Sequence, residues 1–417
     1  MKSMKTSEKV DMSVEFCGIR FQNPFLLASA PPAATMEMIG RAFEAGWAGA
    51  VTKTLVIDEK AWVDVTPRYW SLGFRSAAKE NKRMYAFENI ELGTQRSFAV
   101  WLKEVEQLRK KYPQHVVMAS IMDDASKPDG WQYMAKKLEE AGAHMLELNF
   151  SCPHGMTELG GMGAAIGQNP DLSKTITQWV ADTVKIPVMP KMTANAADVG
   201  VIAKACAAGG ARAIAGINTV AAIIGIDLET FVPRPSVAEY SAFGGLSGLA
   251  IKPIALKSVA SMATAVKLPI SGLGGINSWE DAAEFLLLGA STLQLCTAVM
   301  TRGYGILGGL VNGLQEYMKR KGFNKISEMV GLSLGKLTQH MDLSREARVA
   351  SSISKKLCIK CQRCFISCRD SETQAIRINK DKFPLVDRVK CSGCSLCQQV
   401  CPVPDCIKMT PFKGARA

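Results

Sequence analysis

Eight of the thirteen cysteines of this chain fall in one spacing, written twice near the C-terminus, and no other feature constrains its folding so tightly. Cys358-x2-Cys361-x2-Cys364-x3-Cys368 is followed by Cys391-x2-Cys394-x2-Cys397-x3-Cys401-Pro402. That spacing holds two [4Fe–4S] clusters in bacterial-type ferredoxins, with the fourth cysteine of each run ligating the cluster of the other run. It predicts one cluster on Cys358, Cys361, Cys364 and Cys401, and a second on Cys391, Cys394, Cys397 and Cys368. Disulfides would need an oxidising compartment, for which the sequence carries no other sign. Zinc sites built from four cysteines use separated C-x2-C pairs rather than a third ligand two residues further on. The C-terminal segment is therefore expected to carry electrons.

What the electrons serve must come from the rest of the 417 residues, which are enough for a large core. Apolar content of 47% and charged content of 21% are those of a globular protein. No run of 18 or more residues is apolar and free of charge, so no membrane span is expected. The first thirteen residues lack the apolar core of a secretory signal. With the cluster-type cysteines, this points to a reducing, cytoplasmic setting. The formal charge of +12 is concentrated at the C-terminal end, where residues 345–417 hold 15 Lys and Arg against 6 Asp and Glu. Two thiolate-bound clusters offset about four of those positive charges. The remainder suits an acidic redox partner. Basic residues do not interleave with aromatics as in single-strand binders, so nucleic acid is not an expected partner.

Ahead of the cysteines, short apolar runs alternate with amphipathic segments of helical length. Expected strands are Phe25–Ser29, Gly49–Lys53, Val116–Ile121, His144–Asn149, Pro187–Met192, Ala213–Asn218, Leu268–Gly272 and Thr292–Thr297. Helical patterns include Met36–Ala45, Trp131–Ala141, Leu172–Val184, Ala197–Ala208, Ile251–Val266, Trp279–Leu288 and Tyr304–Lys321. Eight such units predict an α/β fold, a closed (β/α)8 barrel over residues 1–340, followed by a small α+β ferredoxin-like domain over 341–417. Val14–Phe25, turning at Cys17-Gly18, reads as a hairpin closing the N-terminal end of the barrel. Val56–Gln95 and Ala221–Gly248 are too long for plain βα loops and fall on the C-terminal face, where barrel sites are built. Gly335–Lys356 reads as a polar link. Gly303-x-Gly305-x-x-Gly308 has the form of a dinucleotide fingerprint but follows the last strand, with no acidic residue at the right distance beyond it. It reads as a loop opening the final helix, and no NAD site is expected in this chain.

The strand ends carry the chemistry. Strand 4 runs into Asn149-Phe150-Ser151-Cys152-Pro153-His154, which sets a thiol over the pocket with Ser151 and His154 beside it to tune or relay a proton. A packed structural cysteine is the plain alternative. Lys53 and Lys191 end strands 2 and 5, where a cation is costly unless it meets an anion or an electron-rich ring. A lysine reaching out to solvent is the alternative there. Glycine-rich backbone after strands 7 and 8 lies where many barrels bind phosphate. Phosphate, lysines and thiol together suggest a flavin mononucleotide (FMN), which converts one-electron cluster traffic into a two-electron step.

Asn149-x-Ser151-Cys152-Pro153 resembles the catalytic loop of the dihydroorotate dehydrogenase family. The longer string Asn149 to Met156, with the two cysteine runs behind it, resembles the dihydropyrimidine dehydrogenases, in the form of the catalytic subunit of the bacterial NAD-dependent enzymes. The likeness extends from Gly18-Ile19-Arg20-Phe21-Gln22-Asn23-Pro24-Phe25 through Phe87-Glu88-Asn89-Ile90-Glu91-Leu92 and Ile217-Asn218-Thr219-Val220 to Cys406-Ile407-Lys408-Met409. The resemblance implies that Cys152 protonates C5 of a pyrimidine while reduced flavin delivers hydride to C6, with Ser151 and His154 supporting the loop. It implies that Asn89, Glu91, Asn149, Asn218 and Thr219 bind the ring, and Asn suits alternating C=O and N–H groups. It assigns Ser29, Lys53, Thr54, Lys191, Gly248, Gly274, Gly275, Cys296 and Thr297 to FMN.

The reaction so implied is reduction of the C5–C6 bond of uracil or thymine, or its reverse. The FAD- and NADPH-binding half of the larger family members is absent, so an FAD- and NADH-binding partner subunit, in a hetero-oligomer, is expected to supply electrons. Two alternatives stand beside this reading. One is a dihydroorotate dehydrogenase or an ene-reductase of another cyclic amide. The other is a non-catalytic electron-transfer subunit with the barrel as scaffold. Cys406 is a cysteine outside both runs, expected to be a small packed residue.

Overall fold

The computed structural model describes residues 10–57, 65–74, 83–152 and 161–412. They fall into two compact units, divided between Leu337 and Thr338.

The first unit opens with an antiparallel hairpin, β1 (Val14–Phe16) and β2 (Ile19–Phe21), turning at Cys17-Gly18. Phe16 and Phe21 are each 1% exposed and meet edge to face at 6.1 Å within the main core. The chain then runs through β3 (Phe25–Leu27), α1 (Met36–Glu44), β4 (Gly49–Val51), β5 (Tyr69–Phe74), β6 (Arg83–Asn89), α2 (Phe98–Lys111) and β7 (Val116–Ile121). It continues through α3 (Pro128–Glu140), β8 (Met145–Asn149), α4 (Ala164–Gly167), α5 (Pro170–Ala181), β9 (Val188–Met192), α6 (Val199–Ala208) and β10 (Ile214–Gly216). After β11 (Val220–Ala222) and β12 (Gly244–Ser247) come α7 (Lys252–Ala265), β13 (Ile270–Leu273), α8 (Trp279–Leu287), β14 (Ala290–Leu295), α9 (Thr297–Arg302) and α10 (Ile306–Lys321).

Strands β3, β4, β7, β8, β9, β10, β13 and β14 pair in that order, all parallel, and Leu295 opposite Leu27 closes the barrel. All six residues of β7 are buried, as a strand covered on both faces requires. Helix α3 buries Trp131, Met134, Ala135 and Leu138, an i, i+3, i+4, i+7 stripe that faces the barrel wall. Trp131 is fully buried and its indole N–H donates to the Asp124 carbonyl at 3.0 Å. Truncating such a side chain to Ala costs about 3–5 kcal/mol.

The two stretches too long for plain βα loops contribute strands of their own. β5 and β6 from the first, and β11 and β12 from the second, form one antiparallel sheet in the order β11-β12-β6-β5. Arg234, also in the second stretch, stacks over the Trp70 ring at 4.1 Å and ties the stretches together. Polar residues in Arg83–Asn89 obscured the strand, since Asn89 lines the cavity and Glu88 is buried on the opposite face.

The second unit pairs β15 (Val349–Ile353) with β18 (Ile407–Pro411) and β16 (Ile376–Ile378) with β17 (Pro384–Val386), around α11 (Arg363–Ser371) and α12 (Leu396–Gln399). β15 corrects the reading of Gly335–Lys356 as link alone. Its serines masked it, yet Ser351 is only 2% exposed. Gly303-x-Gly305-x-x-Gly308 joins α9 to α10, with the final helix beginning at Ile306. Among the described residues no helix is long and apolar enough to cross a membrane.

Candidate active site

Above the C-terminal ends of the barrel strands lies a cavity of about 1120 Å³, solvent at its mouth included. The barrel brings to it Ser29 after β3, Lys53 and Thr54 after β4, Asn149 and Cys152 from β8 onward, and Lys191 on β9. Asn218 and Thr219 follow β10, Gly274 and Gly275 follow β13, and Cys296 and Thr297 follow β14. The antiparallel sheet adds Asn89 at the end of β6, then Glu91, and Gly248 after β12. Ser151 lies behind this lining, fully buried. His154 is outside the described residues.

A hydrogen-bonded chain of side chains runs along one wall. Asn218 Nδ2 donates to Ser151 Oγ at 2.9 Å, Ser151 Oγ donates to Asn149 Oδ1 at 2.9 Å, and Asn149 Nδ2 donates to Thr54 Oγ1 at 2.9 Å. Thr54 Oγ1 is 3.0 Å from Ser29 Oγ and 3.1 Å from Ser120 Oγ. On the opposite side Asn89 Nδ2 donates to the Gly245 carbonyl at 3.2 Å. Asn89 and Asn218 each accept one backbone N–H as well and keep one N–H and one lone pair, while Asn149, whose oxygen also accepts from Ser151 N–H at 3.2 Å, keeps one N–H, since an amide offers two N–H groups and two lone pairs. Such a wall can read a neutral ring with alternating C=O and N–H groups.

The two lysines meet anions, which resolves the cost of placing them there. Lys53 pairs with Glu91, whose other oxygen accepts from Tyr69 Oη at 2.8 Å. Burial, with Glu91 adding to it, pushes the Tyr69 phenol up to about 12, so it stays a donor. Lys191, 2% exposed, donates to Glu147 Oε1 at 3.3 Å, and Gln294 Nε2 donates to Glu147 Oε2 at 2.9 Å. Glu147 and Gln294 were missed in the sequence. The available signal was alternation, since Glu147 and Asn149 are two apart on one strand and share a face.

The thiols differ in setting. Cys152 is 7% exposed on the cavity wall, and its carbonyl accepts from Ala164 N–H at 3.0 Å. Gly163 has φ 56°, and a Cβ there would lie 2.5 Å from the Cys152 carbonyl oxygen, so only glycine lets α4 close on this loop. Burial pushes the Cys296 thiol up to about 12, which leaves it a neutral thiol on the cavity lining. Ser247 Oγ lies 2.8 Å from Thr297 Oγ1, joining the sheet to the β14 end of the rim.

In the second unit the cysteines line two separate cavities. One is bordered by Cys358, Cys361, Cys364 and Cys401, the other by Cys368, Cys391, Cys394 and Cys397. The grouping interleaves the runs, because each fourth cysteine crosses to the other set. Cys406, 2% exposed, also borders the first cavity. Among the described residues no group of three or more His, Cys, Asp or Glu could hold a single metal ion.

Residues 11–318 match the family model for dihydroorotate dehydrogenase, and residues 351–409 match that for a 4Fe-4S dicluster domain. The NAD-dependent dihydropyrimidine dehydrogenase subunit PreA of Escherichia coli K12 is 40% identical over 410 residues, 97% of this chain and 96% of that protein. The chloroplastic dihydropyrimidine dehydrogenase (NADP(+)) of Arabidopsis thaliana is 38% identical over 84% of this chain and 83% of its own length. The catalytic subunit of dihydroorotate dehydrogenase B (NAD(+)) of Pyrococcus abyssi is 34% identical over 78% of this chain and 99% of its own.

Proposed function

The chain belongs to the dihydroorotate dehydrogenase family and is an oxidoreductase, and on that premise we propose that it reversibly reduces the C5–C6 double bond of uracil or thymine. The observation that carries this reading is the charge balance of the cavity. Among its described lining residues Lys53 pairs with Glu91, which Arg68 also approaches at 3.9 Å from outside the lining, Lys191 pairs with Glu147, and the asparagines present neutral amides. A neutral pyrimidine suits that wall, whereas the carboxylate of orotate would want an unmatched cation.

The residues also fit FMN. Gln294 Oε1 is buried on the cavity lining and has no hydrogen-bond partner among the described residues, so it suits a ring N–H. Lys53 and Lys191 suit the electron-rich edge of the ring. Gly274 and Gly275, with φ 119° and 82°, let the backbone turn at the rim where a phosphate can approach. Ser29, Thr54, Gly248, Cys296 and Thr297 complete that binding set. When bound, FMN would supply hydride exchange at C6 and one-electron exchange with the iron–sulfur clusters. The two cysteine cavities favour two [4Fe–4S] clusters on the interleaved sets.

Asn89, Glu91, Asn149, Asn218 and Thr219 hold the pyrimidine by its amide edges and orient C5 toward Cys152. Cys152 gives its proton to C5, or takes it back in the reverse direction. Ser151, fixed between Asn149 and Asn218, holds the loop carrying Cys152, and the family resemblance gives His154, two residues further on in the sequence, a supporting role. Electrons come from NADH through a separate FAD-bearing subunit. The basic C-terminal unit is its docking face.

Anaerobically purified protein should carry FMN and about eight iron atoms per chain; a zinc protein without iron ends this account. After chemical reduction, uracil or thymine should reoxidise the flavin and orotate should not. Reoxidation by orotate alone would replace the substrate class. Cys152→Ala should lower turnover about 100-fold or more while the flavin remains reducible, and undiminished turnover would remove its role.

A further inference from the structure

We propose that Glu147 is a positioning residue that sets the electron affinity of the flavin through Lys191, and this rests on the flavin reading above. Glu147 is fully buried beneath the cavity and does not line it. Its carboxylate has one oxygen on Lys191 Nζ at 3.3 Å and the other on Gln294 Nε2 at 2.9 Å. Gln294 is held in turn, since the same Nε2 lies 3.2 Å from Ser271 Oγ, which accepts from Thr292 Oγ1 at 2.9 Å. Every atom of this layer comes from a barrel strand: β8, β9, β13 or β14. The layer is therefore rigid, and it aims one ammonium and one amide at the ligand space.

Two consequences follow for a flavin above it. A cation against the ring favours the electron-rich reduced form, and a buried carboxylate behind that cation offsets the preference. Glu147 thus fixes where Lys191 points and how much net charge the ring feels. With both side chains almost out of solvent, a change of one charge is weakly screened.

The test is the flavin midpoint potential of four purified proteins. Glu147→Gln leaves a net positive pair, the native protein and the double variant Glu147→Gln/Lys191→Met are neutral, and Lys191→Met leaves a lone carboxylate. The potentials should fall in that order, with each single variant at least tenfold changed in its relative affinity for reduced over oxidised flavin. Tenfold is about 30 mV for a two-electron couple. Removing both partners of a buried pair is tolerated better than removing one. If Glu147→Gln does not fold, the double variant should still match the native protein and lie above Lys191→Met. Equal potentials, or a double variant no higher than Lys191→Met, would overturn the proposal. A native protein without flavin would instead sink the cofactor reading on which it rests.

Discussion

At the scale of single residues, neighbours along one strand have opposite fates. On β6, Phe87 and Asn89 line the cavity while Glu88 points to the other face, fully buried. Neither Glu88 carboxylate oxygen makes a well-formed hydrogen bond among the described residues, although the Ile224 amide approaches it. Burial pushes its carboxyl from 4.5 up to about 7, and the Ile224 amide only partly opposes this. An acid raised in the folded state binds its proton more tightly there than in the unfolded chain. Its stabilising contribution is therefore present below about pH 4.5 and is lost as pH rises through about 7. Glu88→Gln should melt close to the native protein at pH 5. At pH 8 it should be more stable by about 1–3 kcal/mol, read from thermal unfolding at both values. A variant less stable than native at pH 8 would show that the carboxylate has a partner.

Elements determine which of these residues meet. Gly244 and Gly245 open β12 and face opposite sides of the sheet. A Cβ on Gly244 would lie 2.5 Å from Glu88 Cγ, and one on Gly245 would lie 2.3 Å from Thr219 Oγ1. The sheet thus packs its backbone directly against a residue proposed to bind the pyrimidine. Gly245→Ala should push Thr219 aside and raise KM about 10-fold or more with FMN content unchanged, because small misplacements at a site are costly. An unaltered KM would detach Thr219 from the substrate. The sheet was legible only as two stretches too long for loops. Its strands pair Gly245 with Asn89 and Leu246 with Glu88, contacts far apart in sequence that no local pattern encodes.

For the whole molecule, two units divide the work, and interleaving makes the second behave as one piece. Cys368 closes the first run and borders the cavity of the second run, and Cys401 does the converse. Cys368→Ser should therefore damage the cluster of Cys391, Cys394 and Cys397, not that of its own run. Iron content should fall by up to about four atoms per chain. In that variant electron delivery from the partner subunit should fail, while chemically reduced flavin still reacts with the pyrimidine. Assignment of the remaining cluster to the Cys391 set by spectroscopy on further cysteine variants would reverse the pairing.

The sequence by itself determined the barrel strands and pointed to the candidate site residues. Strand and helix periodicities report burial, which is local, and they marked each barrel strand to within a few residues. The family resemblance assigned residues from Ser29 to Thr297 to one site, and they share one cavity because all parallel strands end on one face. The cysteine spacing was equally legible, being set by ligand geometry over a few residues. Only the tertiary structure decided who pairs with whom. Lys191 was readable as a cation at a strand end, but its partner Glu147 lies on the neighbouring strand β8, and the Gln294 that holds Glu147 is 147 residues away. Charge pairing depends on which distant strands become neighbours when the barrel closes, and periodicity carries no record of that.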